Sequence, residues 1–218
     1  MDLKGFKKET KFNPRTILDN GDNAGWWYNE AKKVWPDAYI WMVEGNPHCE
    51  KQLKEIDENV TIALLSDEVK ELEFYTLKDD LTTTGASYYI ENSNIYLDED
   101  GNNNERVLVE KIKTQRLDDL FDKETVFDLI KLDTQGSEID IMHGGIDLLK
   151  RSTVVIIEVD MGRIAYNKNA PKKPEVIDFM KDNDFELFAQ IGKLDIKFDE
   201  GDVETIQEDL VFINRGKE

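Results

Sequence analysis

The sequence combines a length of 218 residues with a strong excess of acid: 47 Asp and Glu stand against 28 Lys and Arg, a formal net charge of −19. That charge repels phosphate backbones and anionic lipid surfaces, so we expect neither a nucleic-acid partner nor a membrane-bound form. The single cysteine, Cys49, excludes an internal disulfide framework, and two histidines are too few for a cluster of soft metal ligands.

Domain organisation and location are predicted from what the chain lacks. No break in composition marks a boundary, so we expect a single domain over residues 1–218, with a lead-in over residues 1–15. The first residues are basic but are not followed by an apolar run, and no stretch approaches the ~20 apolar residues of a membrane span. We therefore expect a cytoplasmic protein without membrane insertion, and the sequence leaves its oligomeric state open.

Short apolar runs alternate with segments of helical periodicity, which is typical of a parallel sheet covered on both faces. Pro36 ends the first of these helices, and Asn46 followed by Pro47 predicts the N-cap and first position of the second. An apolar stripe over residues 139–149 predicts a third helix. The predicted strands are Thr16–Leu18, Tyr39–Val43, Val60–Leu65, Phe127–Leu132 and Val154–Val159. The predicted fold is α/β, with an open, doubly wound and mostly parallel sheet.

Two regions interrupt this alternation. Residues 72–116 contain ELEFY, ASYYI, NIYL and RVLVEKI, which predict an inserted region of short antiparallel or edge strands. Residues 160–175 are polar and rich in Pro and Lys, and they form either a substrate loop or a plain connection. Near the C-terminus, FELF (185–188) and DLVFI (209–213) predict a hairpin at the sheet edge.

The loop after the first strand is the first place to look for a ligand, because ligands of doubly wound sheets lie beyond the carboxyl ends of the strands. The segment ILDNGDNAGWW contains two glycines but does not match a dinucleotide fingerprint. Counting from Gly21, Asn23 and Trp26 occupy the positions of the second and third glycines. Asp22 would also oppose a pyrophosphate at the following helix N-terminus. Phosphate binding is therefore disfavoured.

A ligand with a positive charge reverses that argument. Asp19 and Asp22 could face a cation, while Gly21 and Gly25 admit a close backbone approach. S-adenosylmethionine fits this description, because it carries an ammonium, a sulfonium and no phosphate.

Two later strand ends add polar side chains that suit the adenosine part of such a ligand. Glu44, at the end of the second strand, can accept hydrogen bonds from both ribose hydroxyls. Ser66 and Asp67 follow the third strand, where a side chain could meet the edge of the adenine.

At these residues the sequence resembles the FkbM-type family of S-adenosylmethionine-dependent methyltransferases. The family's opening motif, Asp-x-Gly-x-Asn-x-Gly, is matched at Asp19, Gly21, Asn23 and Gly25. The likeness continues through VEGNPHCEKQL, LLSDEVKELEFY, TGASYY and DLIKLDTQGSEIDIMHGG, and it runs from about Thr16 to Phe212.

This resemblance implies a Rossmann-like class I methyltransferase fold and S-adenosylmethionine as the cofactor. It also implies O-methylation of a hydroxyl group on a sugar, a glycan or a small natural product. Three positions depart from the family pattern: Asp22 stands where Ala is usual, Gly45 where Pro is usual, and Gln135 where Glu is common.

Two carboxylates at later strand ends are candidates for catalysis. Asp133 ends the strand IKL and is the first candidate for a base or acceptor-positioning group; the alternative is a helix cap. Glu158 should lie among apolar neighbours, so its charge needs a partner or a function, and it is the second candidate. No spacing demands a metal site. Two further functions stay open: a nicotinamide-dependent oxidoreductase, and a nucleoside-binding module without catalysis.

Overall fold

The computed structural model describes residues 1–161, 166–197 and 203–217. The strands are β1 (Thr16–Asn20), β2 (Tyr39–Glu44), β3 (Val60–Ile62), β4 (Glu71–Leu77), β5 (Val107–Lys113), β6 (Leu129–Leu132), β7 (Val154–Asp160), β8 (Phe185–Lys197) and β9 (Val203–Asn214). The helices are α1 (Leu3–Thr10), α2 (Trp26–Val34), α3 (Glu50–Ile56), α4 (Glu138–Gly144), α5 (Ile146–Leu149) and α6 (Lys173–Asp182).

Seven of the strands form one sheet, in the order β3-β2-β1-β6-β7-β9-β8. The five strands from β3 to β7 in this order pair in parallel, whereas β9 runs antiparallel to both of its neighbours. The direction in which the chain winds reverses between β1 and β6, and this is the switch point at which doubly wound sheets bind ligands. The predicted doubly wound, mostly parallel sheet is confirmed.

The core lies in two layers, one on each face of this sheet. Alternate residues of a strand point to opposite faces, so that Leu129 belongs to one layer and Ile130 to the other. Helices α1, α2 and α3 cover the first layer, and α4, α5 and α6 cover the second. None of the helices in the described part of the chain has the length and apolarity needed to cross a membrane.

All five predicted parallel strands are present, with shifted ends. The strand predicted to run to Leu65 ends at Ile62, and the one predicted from Phe127 begins at Leu129. The helix predicted over residues 139–149 is divided into α4 and α5 at Gly145. Before that break, a Cβ built on Gly144 would overlap the backbone carbonyl of Ser66, so the helix approaches this backbone too closely for a side chain.

The inserted region over residues 72–116 differs from its prediction. ELEFY and RVLVEKI form β4 and β5, but these two strands make a separate antiparallel sheet. The prediction of strands at ASYYI and NIYL was wrong: that stretch has turns and isolated bridges instead. Its aromatic residues do not alternate across a pleat: Tyr96 is buried, whereas Tyr88 and Tyr89 pack against each other with their ring centroids 5.1 Å apart.

The two ends of the chain also add structure. The lead-in contains α1, capped by Asp2, whose Oδ1 accepts a hydrogen bond from the Gly5 amide (2.7 Å). It was missed because Phe6 is its one fully buried residue and a single apolar residue carries no periodicity. The predicted C-terminal hairpin is present as β8 and β9, and both strands are longer than predicted. Within the segment 160–175, residues 162–165 lie outside the described residues.

We expect Phe6→Ala to lower the free energy of unfolding by about 3–5 kcal/mol, because it empties a fully buried aromatic site. The Phe6 ring packs 5.8 Å from Phe188 and 6.0 Å from Phe12, so it fastens α1 to the sheet edge. Urea unfolding measures the loss. Lys4→Ala, on the exposed side of the same helix, is the control and should change stability by less than about 0.5 kcal/mol. Equally small losses of unfolding free energy for the two variants would show that α1 does not contribute to the core.

Candidate functional site

A crevice of about 510 Å³, partly open to solvent, lies at the carboxyl ends of β1, β2 and β6. Polar groups come from the strand ends, and apolar groups come from the segment after β3. The described lining residues are Asn20, Gly21, Asn23, Val43, Glu44, Gly45, Ala63, Leu64, Leu65, Phe74, Thr84, Ala86, Ser87, Tyr88, Asp133, Thr134, Gln135, Ser137 and Ile141.

The turn after β1 brings the backbone close to the crevice. Gly21 has a positive φ of 85° and donates its amide to the carbonyl of Val43 (2.9 Å). A Cβ built on Gly21 would overlap the carbonyl of Asp133, so the ends of β1 and β6 can meet only if this residue has no side chain. The presence of glycine at position 21, noted in the sequence, is thus explained by the lack of space for a side chain.

One wall of the crevice comes from the inserted region and is held by two asparagines. Asn23 Nδ2 donates to the carbonyl of Thr82 (2.9 Å), and Asn46 Nδ2 donates to the carbonyl of Leu81 (2.8 Å). Asn23 also has a positive φ of 51°, a conformation that Asn adopts more readily than most residues. The opening motif therefore ties the insertion down over the strand ends.

Glu44 is oriented at the end of β2 by two backbone amides. Its Oε1 accepts from Asn46 N (2.7 Å), and its Oε2 accepts from Asn23 N (3.0 Å). Burial raises the pKa of Glu44, although these amides act in the opposite direction. A carboxylate can accept about four hydrogen bonds, so two acceptor sites are left for hydroxyl groups in the crevice.

Asp19 and Asp22 are buried on either side of Gly21, with exposed fractions of 1% and 4%. Asp22 Oδ1 caps α2 by accepting from the amides of Trp27 (3.1 Å) and Tyr28 (3.3 Å). Among the described residues no donor reaches the other oxygen of Asp22 or Oδ2 of Asp19, but the two carboxyl groups lie within hydrogen-bonding reach of each other when one is protonated. Burial, followed by repulsion from Asp22, raises the pKa of Asp19 well above its ordinary value. Such oxygens would be stabilised by a cation.

Asp133 lies in a network that the sequence did not reveal. Lys131 Nζ donates to Asp133 Oδ2 (3.1 Å), and Gln135 Nε2 donates both to Asp133 Oδ1 (3.1 Å) and to Glu158 Oε2 (2.9 Å). Burial alone would raise the pKa of Asp133, but the Lys131 ammonium outweighs it and holds that pKa below its ordinary value. For Glu158, burial and then the charge of Asp133 raise the pKa well above its ordinary value.

The helix-capping role that was the alternative for Asp133 is performed by Glu138. Glu138 Oε1 accepts from Thr134 N (2.8 Å) and Gly136 N (3.2 Å), so it satisfies the amides that lead into α4. Burial raises the pKa of Glu138 to about 6.

The predicted site residues divide into two sets. Those that line the crevice are Gly21, Asn23, Glu44 and Asp133, and those outside the lining are Asp19, Gly25, Ser66, Asp67 and Glu158. Ser66 Oγ donates to Asp67 Oδ1 (2.9 Å), which also accepts from Lys70 Nζ (2.8 Å), so these side chains are engaged with one another. Leu64 and Leu65, which precede them, take their place in the lining.

Comparison with protein families decides the affiliation of the chain. The profile of the methyltransferase FkbM domain matches residues 19–187, which include the turn after β1, Glu44 and Asp133. The chain belongs to the FkbM methyltransferase family. The predicted resemblance is confirmed. No curated protein matches the sequence.

Solved structures share the fold of this FkbM-family protein. A candidate O-methyltransferase from Klebsiella pneumoniae aligns with a TM-score of 0.50 and 14% identity, over 97% of this chain and 78% of that one. The O-methyltransferase TomG from Streptomyces achromogenes, involved in tomaymycin synthesis and solved with S-adenosylmethionine, aligns at 0.47 and 14%, over 93% and 74%. A candidate RNA methyltransferase from Pyrococcus horikoshii aligns at 0.49 and 11%, over 97% and 79%. The match to the Klebsiella structure, together with the strand order of the sheet, confirms the predicted class I methyltransferase fold.

We expect Asp22→Asn to stabilise this FkbM-family protein at neutral pH, because it removes a buried charge and keeps the oxygen that caps α2. Burial raises the pKa of Asp22 to about 7. Between about pH 4 and about pH 7 the folded chain holds a proton that the unfolded chain has lost, so wild-type stability falls as the pH rises through this window. The variant should gain on the order of 2–4 kcal/mol at about pH 8 and little at about pH 4, measured by urea unfolding.

Asp57→Asn is the matched control for this prediction. Asp57 Oδ2 accepts a hydrogen bond from Tyr28 Oη (2.7 Å), so the same substitution there weakens a satisfied carboxylate and should lower stability. If Asp22→Asn proves less stable than the wild type at both pH values, the carboxylate of Asp22 has a partner in the folded protein.

Proposed function

We propose that this FkbM-family protein is an S-adenosylmethionine-dependent O-methyltransferase, acting on a hydroxyl group of a sugar, a glycan or a small natural product. The observation that carries the proposal is the charge pattern of the crevice. The carboxylates of Glu44 and Asp133 line the crevice, and buried carboxyl oxygens that no described donor reaches lie behind the lining, at Asp19 and Asp22.

The residues around the crevice fit this cofactor part by part. An ammonium group near the β1 turn would compensate the negative charge of Asp19 and Asp22, whose Oδ2 atoms no described donor reaches. The two acceptor sites left on Glu44 suit the ribose hydroxyls. Leu64 and Leu65 provide an apolar surface for the adenine. A pyrophosphate, by contrast, would meet the buried acids of the β1 turn, which argues against the nicotinamide alternative.

Methyl transfer to a hydroxyl group requires that the two reactants be aligned and that a base accept one proton. S-adenosylmethionine supplies a methyl group on a sulfonium and leaves as the neutral thioether S-adenosylhomocysteine. Asp133 lines the crevice and is held in its ionised form by Lys131, so it accepts the proton that the acceptor hydroxyl loses. Most of the rate enhancement comes from holding the two reactants in line.

Glu158 has a different part in this proposal. Two amides, Gln135 Nε2 and Gln207 Nε2, both donate to its Oε2 (2.9 Å each). With its pKa raised well above the ordinary value by burial and by Asp133, Glu158 is protonated when Asp133 is ionised. It therefore supports the base rather than serving as one.

The acceptor is proposed to be uncharged. A net charge of −19 and the carboxylate of Asp133 at the crevice oppose a polyanion such as a nucleic acid. Hydroxyl groups, in contrast, can donate to that carboxylate. Among the described residues, no group of three or more His, Cys, Asp or Glu side chains is arranged to hold a metal ion.

We expect Glu44→Gln to weaken binding of S-adenosylmethionine and S-adenosylhomocysteine by about 10- to 100-fold, because it removes charge-assisted bonds to the ribose. Isothermal titration calorimetry measures both ligands. The matched control is Glu110→Gln, which removes a carboxylate that pairs with His48 Nε2 (2.8 Å) outside the crevice lining and should leave the affinity unchanged.

Transfer itself is measured with radiolabelled S-adenosylmethionine and extracts of glycans and hydroxylated metabolites. Label in an alkali-stable fraction, absent for Asp133→Asn, supports an O-methyl ether. If neither ligand binds the folded wild type at millimolar concentration, the proposal is wrong. Binding without transfer to any extract would favour the non-catalytic nucleoside-binding module.

A further inference from the structure

Lys131 is a charged residue in the most buried strand of the sheet. All four residues of β6 are buried, and Lys131 is 1% exposed. An ammonium taken out of water costs several kcal/mol unless it is paired. Burial alone would lower the pKa of Lys131, but Asp133 and then Asp209 outweigh that and raise it, so the ammonium stays charged.

The strand register explains how Lys131 reaches two carboxylates. Asp133 is two residues further along the chain, so it lies on the same side of the strand as Lys131. Asp209 is on β9, paired with Glu158 of β7, and its Oδ1 accepts from Lys131 Nζ at 3.0 Å. Gly192 on β8 makes room for this, because a Cβ there would overlap the carboxylate of Asp209. The Lys131 side chain therefore crosses one face of β7 and links Asp133, which follows β6, to Asp209 on β9.

The network places one ammonium among three carboxyl groups: Asp133, Asp209 and Glu158. If all three were ionised, this partly buried cluster around the buried Lys131 would carry a net charge of −2, which partial burial opposes. One proton on the pair formed by Asp133 and Glu158 lowers this charge to −1. The charged and titratable groups that face the pair are Lys131 on β6, Asp209 on β9, Asp19 on β1, Glu44 on β2, Glu138 in α4 and Tyr166 beyond β7.

We infer that Lys131 and Asp209 act as opposed positioning residues, which together set the pH range in which the Asp133–Glu158 pair holds one proton. This inference rests on the proposed function, in which Asp133 must be ionised to receive a proton. Lys131 favours the ionised pair, and Asp209 both competes for the ammonium and repels the pair. If Lys131 and Asp209 formed only a structural ion pair, they would not have opposite effects on the titration of the Asp133–Glu158 pair.

Two charge-removing variants should therefore move the titration in opposite directions. Lys131→Met removes the attracting charge and should raise the apparent pKa of the pair by about 1–3 pH units. Asp209→Asn removes the repelling charge and leaves the ammonium to Asp133, and it should lower that pKa by about half a unit. Carbon-13 NMR of the side-chain carboxyls in ligand-free protein, assigned with Asp133→Asn and Glu158→Gln, measures both changes.

Separate controls test whether the variants fold and whether the titration shift is specific to this network. Asp209 has a side chain that is 29% exposed, so Asp209→Asn is the variant expected to fold without difficulty, and Lys131→Gln replaces Lys131→Met if that variant does not fold. Lys54→Met, in an exposed pair with Glu50 on α3, should leave the titration unchanged. Shifts in the same direction, or no shift in either variant, would overturn the inference.

The same variants separate this inference from the proposed function. Where methyl transfer is measurable, the acid limb of the pH–rate profile should move upward for Lys131→Met and downward for Asp209→Asn. Opposite NMR shifts in a protein that transfers no methyl group would uphold the charge assignment and refute only the proposed reaction. Transfer with a pH profile unmoved by either variant would refute the assignment and keep the reaction.

Discussion

The burial of carboxyl groups at the carboxyl edge of a parallel sheet is the constraint on which this molecule depends. Asp19, Glu44 and Asp133 lie at the ends of three strands that the core requires to be adjacent, so their side chains are held near one another; Asp19 and Glu44 are buried, and Asp133 is partly exposed. Each has a different environment: Glu44 accepts from backbone amides, Asp133 is paired with Lys131, and Asp19 faces Asp22 and has an oxygen that no described donor reaches.

Buried carboxyl groups at this edge affect the stability of the ligand-free protein and the binding of a cationic ligand in opposite ways. A buried carboxyl group with a raised pKa lowers the stability of the ligand-free fold as the pH rises, whereas a cationic ligand gains from the same group. Functional sites commonly concentrate groups of this kind. Asp22 is the clearest example, because the family usually has Ala at its position and no described donor reaches its Oδ2. We therefore regard Asp22 as an addition of this chain to a shared turn.

The fold was largely predictable because its signals are local. The central parallel strands β1, β6 and β7 are short runs that are almost entirely buried, and Asn46 with Pro47 marks a helix start by the side-chain bond that the structure contains, from His48 N to Asn46 Oδ1 (3.0 Å). In the inserted region, ASYYI and NIYL have the composition of strands but make only isolated bridges. Their conformation is decided by what they cover, and Asn23 and Asn46 hold the neighbouring backbone over the crevice.

By itself, the sequence determined the order of elements, the family and the acidic strand ends, because these depend on residue type and spacing along the chain. Only the tertiary structure decided which acids share a charge environment. Lys131 and Asp209 are far apart in sequence and meet only because β6, β7 and β9 are neighbours. A lysine inside the apolar run LIKL was the one available signal, since lysine is seldom fully buried without a partner. The partner itself is set by strand register, which periodicity within a single strand cannot reveal.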